Sequence, residues 1–344
     1  MRRMMNPIAI RAFRTVQSSR CVVLTWKDIL TRTSISGIRN ISTTSHGVQN
    51  KIGFIGLGNM GLPMCLNLLK TDNEIIAFDL NEDALHEAQI HGAKPAQQVE
   101  DVAADCSIIF TMLPGDQAVD RVMSKLLMVG PAAIFVDCST VSPSISQRWN
   151  ASGGLVGHTW IDAPVSGGVQ GAHNATLTFM VGALQDSEGF QTIEPLLLAM
   201  GKRVVSCGGT GTGAATKLCN NLALASQMIG ICEAMNLGEA LGVDPNTLAN
   251  VMNTSTAKCW SSEVNNPHPA VAANHGTTPA ANDYEGGFAA KLMLKDLALA
   301  VAAAEHKGVA LPLGTTSKEL YRMVSLRGLA DKDFGVILQF LRGK

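Results

Sequence analysis

The chain has 344 residues, enough for two domains at roughly 100–200 residues each. Apolar residues make up 46% and charged residues 16%, which allows sizeable buried cores and excludes a chain that is disordered throughout. With 27 basic and 28 acidic side chains the formal charge is −1; this argues against nucleic acid as a partner, and no apolar run approaches the roughly 18–20 residues of a membrane-spanning helix.

The N-terminal 50 residues differ from the rest. They carry seven Arg and one Lys against a single acid, Asp28, with six Ser and six Thr. This is the composition of an organellar transit peptide or of a disordered cytosolic tail; the Arg content favours a mitochondrial transit peptide over 1–48, and hence a matrix protein. Beyond it the chain has 19 basic and 27 acidic residues, an acidic body ill suited to a phosphate backbone. The eight cysteines, at 21, 65, 106, 138, 207, 219, 232 and 259, form no CxxC pair and read as reduced, small apolar residues. No metal is expected.

From Lys51 short β-rich runs alternate with helical patterns. The runs are Lys51–Leu57, Ile75–Asp79, Ser107–Leu113, Ile134–Cys138, Trp160–Pro164, Leu177–Val181 and Val204–Cys207. Several are apolar at consecutive positions, as in strands covered by helices on both sides of a largely parallel sheet. After Gly213 the strand signals stop. A long helix is predicted over 214–241, another after Asp244-Pro245, a long loop over 265–287, and helices over 288–307, over 315–327 and near the C-terminus. The fold class is therefore α/β, a Rossmann-type N-terminal domain (49–212), followed by an all-α C-terminal domain (213–344).

Gly56-Leu57-Gly58-Asn59-Met60-Gly61 lies between a strand and a helix. In that context GxGxxG indicates a dinucleotide site. Gly56 permits the turn, Gly58 lets a pyrophosphate approach the backbone, and Gly61 lets the helix pack closely. Asp79 ends the next strand, where a carboxylate accepts from ribose hydroxyls and repels a 2′-phosphate. This predicts NAD over NADP; capping of the following helix is the alternative role. Leu113, Pro114 and Thr140 end later strands and should also touch the cofactor, unless Thr140 serves as a helix cap.

Asp162-Ala-Pro-Val-Ser166-Gly167-Gly168 offers a hydroxyl and free backbone N–H groups to an anion. Gly213 to Asn221 opens the long helix, with Lys217 and Asn221 on one face at i and i+4. A Lys near a helix N-terminus and partly buried is tuned downward, towards proton transfer at neutral pH; an ordinary surface Lys is the alternative.

These segments resemble the β-hydroxyacid dehydrogenase family over about 51–341. Lys258–Ser262, Asn266-Pro267, Asn282–Phe288 and Leu292–Leu297 resemble its hydroxyisobutyrate-oxidising members in particular. The resemblance implies NAD-dependent oxidation of 3-hydroxyisobutyrate to methylmalonate semialdehyde in valine degradation. It makes Lys217 the general acid/base and places Asn221 beside the substrate. Ser166, Gly167 and Gly168 bind the carboxylate in this scheme, and Lys295 reaches the cofactor or substrate from the second domain. Read from the residues alone, Lys295 pairs with a nearby acid. Trp260 and Phe288 suggest an apolar wall for a methyl group, with core packing as the alternative. A small β-hydroxyacid is the expected substrate, and a homodimer or homotetramer the expected assembly. Two other readings stay open: a reductase of succinic or tartronate semialdehyde, and a non-catalytic NAD-binding scaffold.

Overall fold

The computed structural model of the chain describes residues 50–127, 129–271 and 278–343. The transit-peptide assignment to 1–48, and Cys21, lie outside the described residues. The chain runs through β1 (Lys51–Ile55), α1 (Gly61–Leu68), β2 (Glu74–Phe78), α2 (Glu82–Ile90), β3 (Lys94–Pro95), α3 (Val99–Asp105), β4 (Ile108–Thr111), α4 (Asp116–Leu126), β5 (Ile134–Asp137), α5 (Pro143–Gly154) and β6 (Thr159–Asp162). The six strands form one parallel sheet in the order β3-β2-β1-β4-β5-β6. Strand order reverses between β1 and β4, which opens a crevice at their carboxyl ends.

The consecutive apolar residues of these strands are explained by cover on both faces. Ile52, Phe54, Phe110, Val136 and Ile161 join one core, and Ile76, Ile109, Phe135 and Trp160 join the other. At Gly53 a side chain would overlap Val102, so α3 packs directly on the backbone of β1.

A second sheet follows, built from β7 (Val165–Ser166), β8 (Leu177–Val181) and β9 (Gly201–Ser206), with α6 (Gly168–His173) and α7 (Glu188–Met200) between them. β7 is antiparallel to β8, and β9 is parallel to it. All seven predicted strands are present. β3 and β7, two residues each, are additional.

The helical half is organised around α8 (Thr212–Ala240), 29 residues long and begun two residues ahead of its predicted start. Leu218, Ala225, Met228, Ile231, Cys232 and Met235 are all buried, as in a helix enclosed on several sides. Against it pack α9 (Pro245–Thr254), α10 (Trp260–Glu263), α11 (Ala290–Lys307), α12 (Pro312–Val324) and α13 (Ile337–Leu341). Asp244 caps α9 by accepting from Thr247 N at 2.8 Å, and Gly308 at φ 67° ends α11, both as predicted. The helix predicted over 315–327 instead begins at Pro312, and a π turn (Ser325–Leu329) carries the chain past Val324 to Gly328 at φ 80°. Part of the predicted loop over 265–287 lies outside the described residues, and Pro279–Asn282 within it form a 3-10 turn. Cys65, Cys106, Cys138 and Cys232 are buried and free as expected, whereas Cys219 is exposed on α8. Burial pushes the thiols of Cys65 and Cys106 up to about 12, which leaves them unreactive.

One buried carboxylate ties the helical half together. Asp333 accepts from Phe288 N (2.9 Å), Gly335 N (2.9 Å) and Asn265 Nδ2 (3.3 Å), and its own N–H donates to Tyr284 O at 2.8 Å. It holds a segment in which Asp283, Tyr284, Gly286 and Gly287 all have positive φ. Removing the acceptor leaves these donors buried without partners. Asp333→Ala is expected to lower Tm by about 5–10 °C, from a loss of roughly 2–3 kcal/mol, as measured by calorimetry.

Candidate active site

The strand registers align one row of residues across the carboxyl edge of the large sheet: Phe78, Ile55, Thr111, Asp137 and Asp162. The predicted cofactor and substrate loops all leave the sheet from this level.

The glycine loop is built as the motif requires. Gly56 has φ 98°, its N–H donates to Phe78 O at 2.9 Å, and a side chain there would overlap Met112 O. A side chain on Gly61 would overlap Gly56 O, so α1 begins hard against the turn. At Gly58 a Cβ meets nothing within 4 Å, which leaves an open cradle beside the start of α1. The cap of α1, Met60, makes no side-chain hydrogen bond, and its first turn has no acid. Unclaimed N–H groups and open space at Gly58 fit a pyrophosphate. Leu57 is buried, and Gly58 and Asn59 face solvent.

Asp79 stands at the end of β2, and backbone N–H groups on both sides of it donate to its carboxylate. Its Oδ2 accepts from Leu57 N and its Oδ1 from Asn81 N at 2.7 Å, while Asn81 itself caps α2. The carboxylate therefore braces the glycine loop from β2.

At the next two strand ends, Asp137 accepts from Thr111 Oγ1 (2.8 Å) and Ser139 N (3.1 Å), and Ser139 Oγ accepts from Leu113 N at 2.8 Å. Burial pushes the Asp137 carboxyl up to about 6, against the pull of Ser139 and Thr111. The cap of α5 is Ser142, not Thr140. Lys295, on α11, donates to Pro114 O (3.2 Å) and Thr140 O (3.1 Å), and lies 3.7 Å from Asp296 Oδ1. It thus makes the predicted ion pair and also joins the two loops assigned to the cofactor.

Lys217 and Asn221 are both buried, 7% and 3% exposed, on the same face of α8. Asn221 Nδ2 donates to Asp296 Oδ2 at 2.6 Å, and Asn220 Nδ2 donates to Asn221 Oδ1 at 3.1 Å. Burial holds the Lys217 amine below its ordinary value; Asp296 opposes that and Lys295 adds to it. Asp296, itself buried, is pushed up by desolvation and held down by Lys295 and Lys217. Asp296 is an addition to the site residues expected from the sequence; it shares the buried face of α11 with Met293, Leu297 and Ala300.

Ser166 ends β7 half-buried, and Gly167 (φ 138°) and Gly168 (φ 63°) follow it into solvent; a Cβ on Gly168 meets nothing within 4 Å. Trp260 and Phe288 meet on Phe334, with ring centroids at 6.4 and 6.0 Å; Phe288 is half-buried against the core, whereas Trp260 stays 47% exposed.

Residues 51–209 match the family model described as the NAD binding domain of 6-phosphogluconate dehydrogenase. Residues 211–341 match that described as NAD-binding of NADP-dependent 3-hydroxyisobutyrate dehydrogenase. The mitochondrial 3-hydroxyisobutyrate dehydrogenase of Homo sapiens is 42% identical over 306 residues, 88% of this chain and 90% of its own. The chain belongs to the 3-hydroxyisobutyrate dehydrogenase family.

The probable mitochondrial member from Arabidopsis thaliana is 37% identical over 97% of this chain and 99% of its own. The solved 3-hydroxyisobutyrate dehydrogenase of Mycobacterium tuberculosis, with L-serine, superposes with a TM-score of 0.81 at 37% identity, covering 86% of this chain and all of that one. A member of this family is an oxidoreductase that uses a nicotinamide dinucleotide.

The glycines of the cofactor loop should separate stability from binding. Gly61→Ala is expected to destabilise the fold by about 2 kcal/mol or more, because backbone rather than a mobile side chain blocks it. Gly58→Ala is expected to leave Tm within about 2 °C while weakening NAD binding about tenfold, since its methyl group enters the phosphate cradle. Thermal melts and cofactor titration of both variants check this.

Proposed function

We propose that the chain oxidises 3-hydroxyisobutyrate to methylmalonate semialdehyde with NAD, in the mitochondrial matrix, as a step of valine degradation. The observation that carries this reading is Lys217: an amine removed from water, its proton weakened by burial, beside Asn221 and Asp296. The mitochondrial names of the relatives and the basic, acid-poor N-terminus support the location. The matched ranges 51–209 and 211–341 support a division into a transit peptide (1–48), an NAD-binding domain (49–212) and a helical domain (213–344). Exposed Leu237, Leu241, Val243 and Val251 support a homodimer or homotetramer formed through the helical half.

In this scheme Gly56–Gly61, Asp79, Leu113, Pro114 and Thr140 hold the dinucleotide, with Lys295 fixing the last two. Asp79 favours NAD, although one family description names an NADP-dependent enzyme, because its carboxylate is already placed at the end of β2. When bound, NAD supplies the hydride acceptor. Ser166, Gly167 and Gly168 receive the substrate carboxylate, with Gly168 leaving room for it. Asn221 keeps a second Nδ2 hydrogen for the substrate after serving Asp296. Lys217 takes the hydroxyl proton in oxidation and returns it in reduction. Asp296 steadies the ammonium so formed. The L-serine of the Mycobacterium tuberculosis structure has the same carboxylate and β-hydroxyl.

The test is NADH formation from residues 48–344 with 3-hydroxyisobutyrate, 4-hydroxybutyrate, glycerate and 6-phosphogluconate, each with NAD and NADP. Hydroxyisobutyrate with NAD is expected to lead in kcat/KM by about tenfold or more. A lead by 4-hydroxybutyrate or glycerate would shift the reading to a succinic or tartronate semialdehyde reductase. Lys217→Ala is expected to lower kcat by about 100-fold or more with NAD affinity nearly unchanged. Oxidation requires the neutral amine, so kcat/KM should rise with pH as Lys217 loses its proton. Asp296→Asn removes the charge that holds that proton, so the rise should move to lower pH. An unmoved pH profile would remove Asp296 from this role.

A further inference from the structure

Asp162, the last residue of β6, is buried, and its carboxylate has no part in the proton transfer set out above. Its Oδ1 accepts from Gly211 N at 2.7 Å and its Oδ2 from Ala214 N at 2.8 Å. These are donors at the start of α8, where N–H groups have no partner within the helix. The cap residue, Gly211, has no side chain to serve them, so a strand 49 residues earlier supplies the cap.

The space for this carboxylate is made by missing side chains. A Cβ on Gly182 would overlap the Asp162 carboxylate oxygens and carbon, and these are its three nearest neighbours. A Cβ on Gly213 would lie 2.9 Å from Asp162 Oδ2 and would also overlap Met180 O. Burial pushes the carboxyl up, and the N–H groups of Gly211 and Ala214 hold it down.

Asp162 stands between two parts of the site. Its own backbone starts the segment that reaches Ser166, secured by Gly182 N on Asp162 O (2.7 Å) and Met180 N on Pro164 O (3.0 Å). Its side chain holds Ala214, three residues before Lys217, one turn away on the same helix. We propose that Asp162 is a positioning residue, a clasp that sets Lys217 at a fixed separation from the Ser166–Gly168 loop. This rests on the roles proposed above for Lys217 and that loop.

Two variants test it. Asp162→Asn keeps the shape but turns an amide donor towards a backbone N–H. Gly182→Ala keeps the carboxylate and its charge but displaces it. For each we would measure kcat per folded molecule at saturating hydroxyisobutyrate and NAD, and KM. We would also measure the isotope effect with substrate deuterated at the oxidised carbon, NAD affinity, and acetylation of Lys217 by acetic anhydride, read by mass spectrometry. The expected result is a loss in kcat of about 100-fold, a larger isotope effect, NAD affinity within about twofold of the parent, and faster acetylation of Lys217. A lower Tm with parental kcat, isotope effect and acetylation would make Asp162 a structural residue only and overturn the proposal. If Asp162→Asn fails to fold, Gly182→Ala decides on the same readouts. If the parent turns over none of the hydroxyacids, the proposed function fails, and acetylation still decides: faster labelling in the variants upholds the clasp, and unchanged labelling overturns it.

Discussion

Keeping a lysine amine out of water is the constraint on which the rest of this site depends. An isolated buried ammonium is costly, so the amine at 217 is either neutral or answered by a nearby opposite charge. Asp296 is that charge, and it is itself buried and answered by Lys295 and by the Asn221 amide. The three charges therefore cannot be considered separately. Burial and Lys295 weaken the hold of Lys217 on its proton, Asp296 strengthens it, and burial is the largest of the three. The result is an amine whose hold on its proton is set by packing of α11 on α8.

The sheet contributes by presenting its loops at one level. Because Phe78, Ile55, Thr111, Asp137 and Asp162 are in register, short side chains are long enough to join neighbouring loops. Asp79 braces the glycine turn, Asp137 and Ser139 hold Leu113, and Lys295 spans Pro114 and Thr140 from the other half of the molecule. These links are made largely to backbone N–H and C=O groups, so they fix loop geometry with little dependence on the loop side chains.

Much of this was legible in sequence because it is local. The glycine motif, the apolar runs of the long strands, the Asp244-Pro245 cap and the stop at Gly308 each depend on residues within a few positions of one another. β3 and β7 were missed because two residues carry no periodicity. The start of α12 carries Pro312 at its first position but Leu311, a poor cap, ahead of it, and the apolar pattern runs on into the π turn. Asp296 was within reach, as an acid three residues after Met293 and one before Leu297 on a buried face. The contacts of the Asp162 and Asp333 carboxylates were not, since their partners lie 49 to 52 and up to 68 residues away, and no spacing rule connects such positions.

The room left around Asp162 also bears on how this sequence is free to change. The three nearest neighbours that a side chain at 182 would meet are all atoms of the Asp162 carboxylate, whereas a side chain at 213 would still strike Met180 O. The nearest obstacle to a side chain at 182 is thus the side chain at 162, and at 213 it is backbone. The same alanine at 182 is obstructive beside an aspartate and is relieved of those three contacts beside an alanine, so the order in which the two substitutions occur bears on how well the second is tolerated. A lineage that loses the carboxylate first can fill the space; one that fills it first displaces the carboxylate from the start of α8.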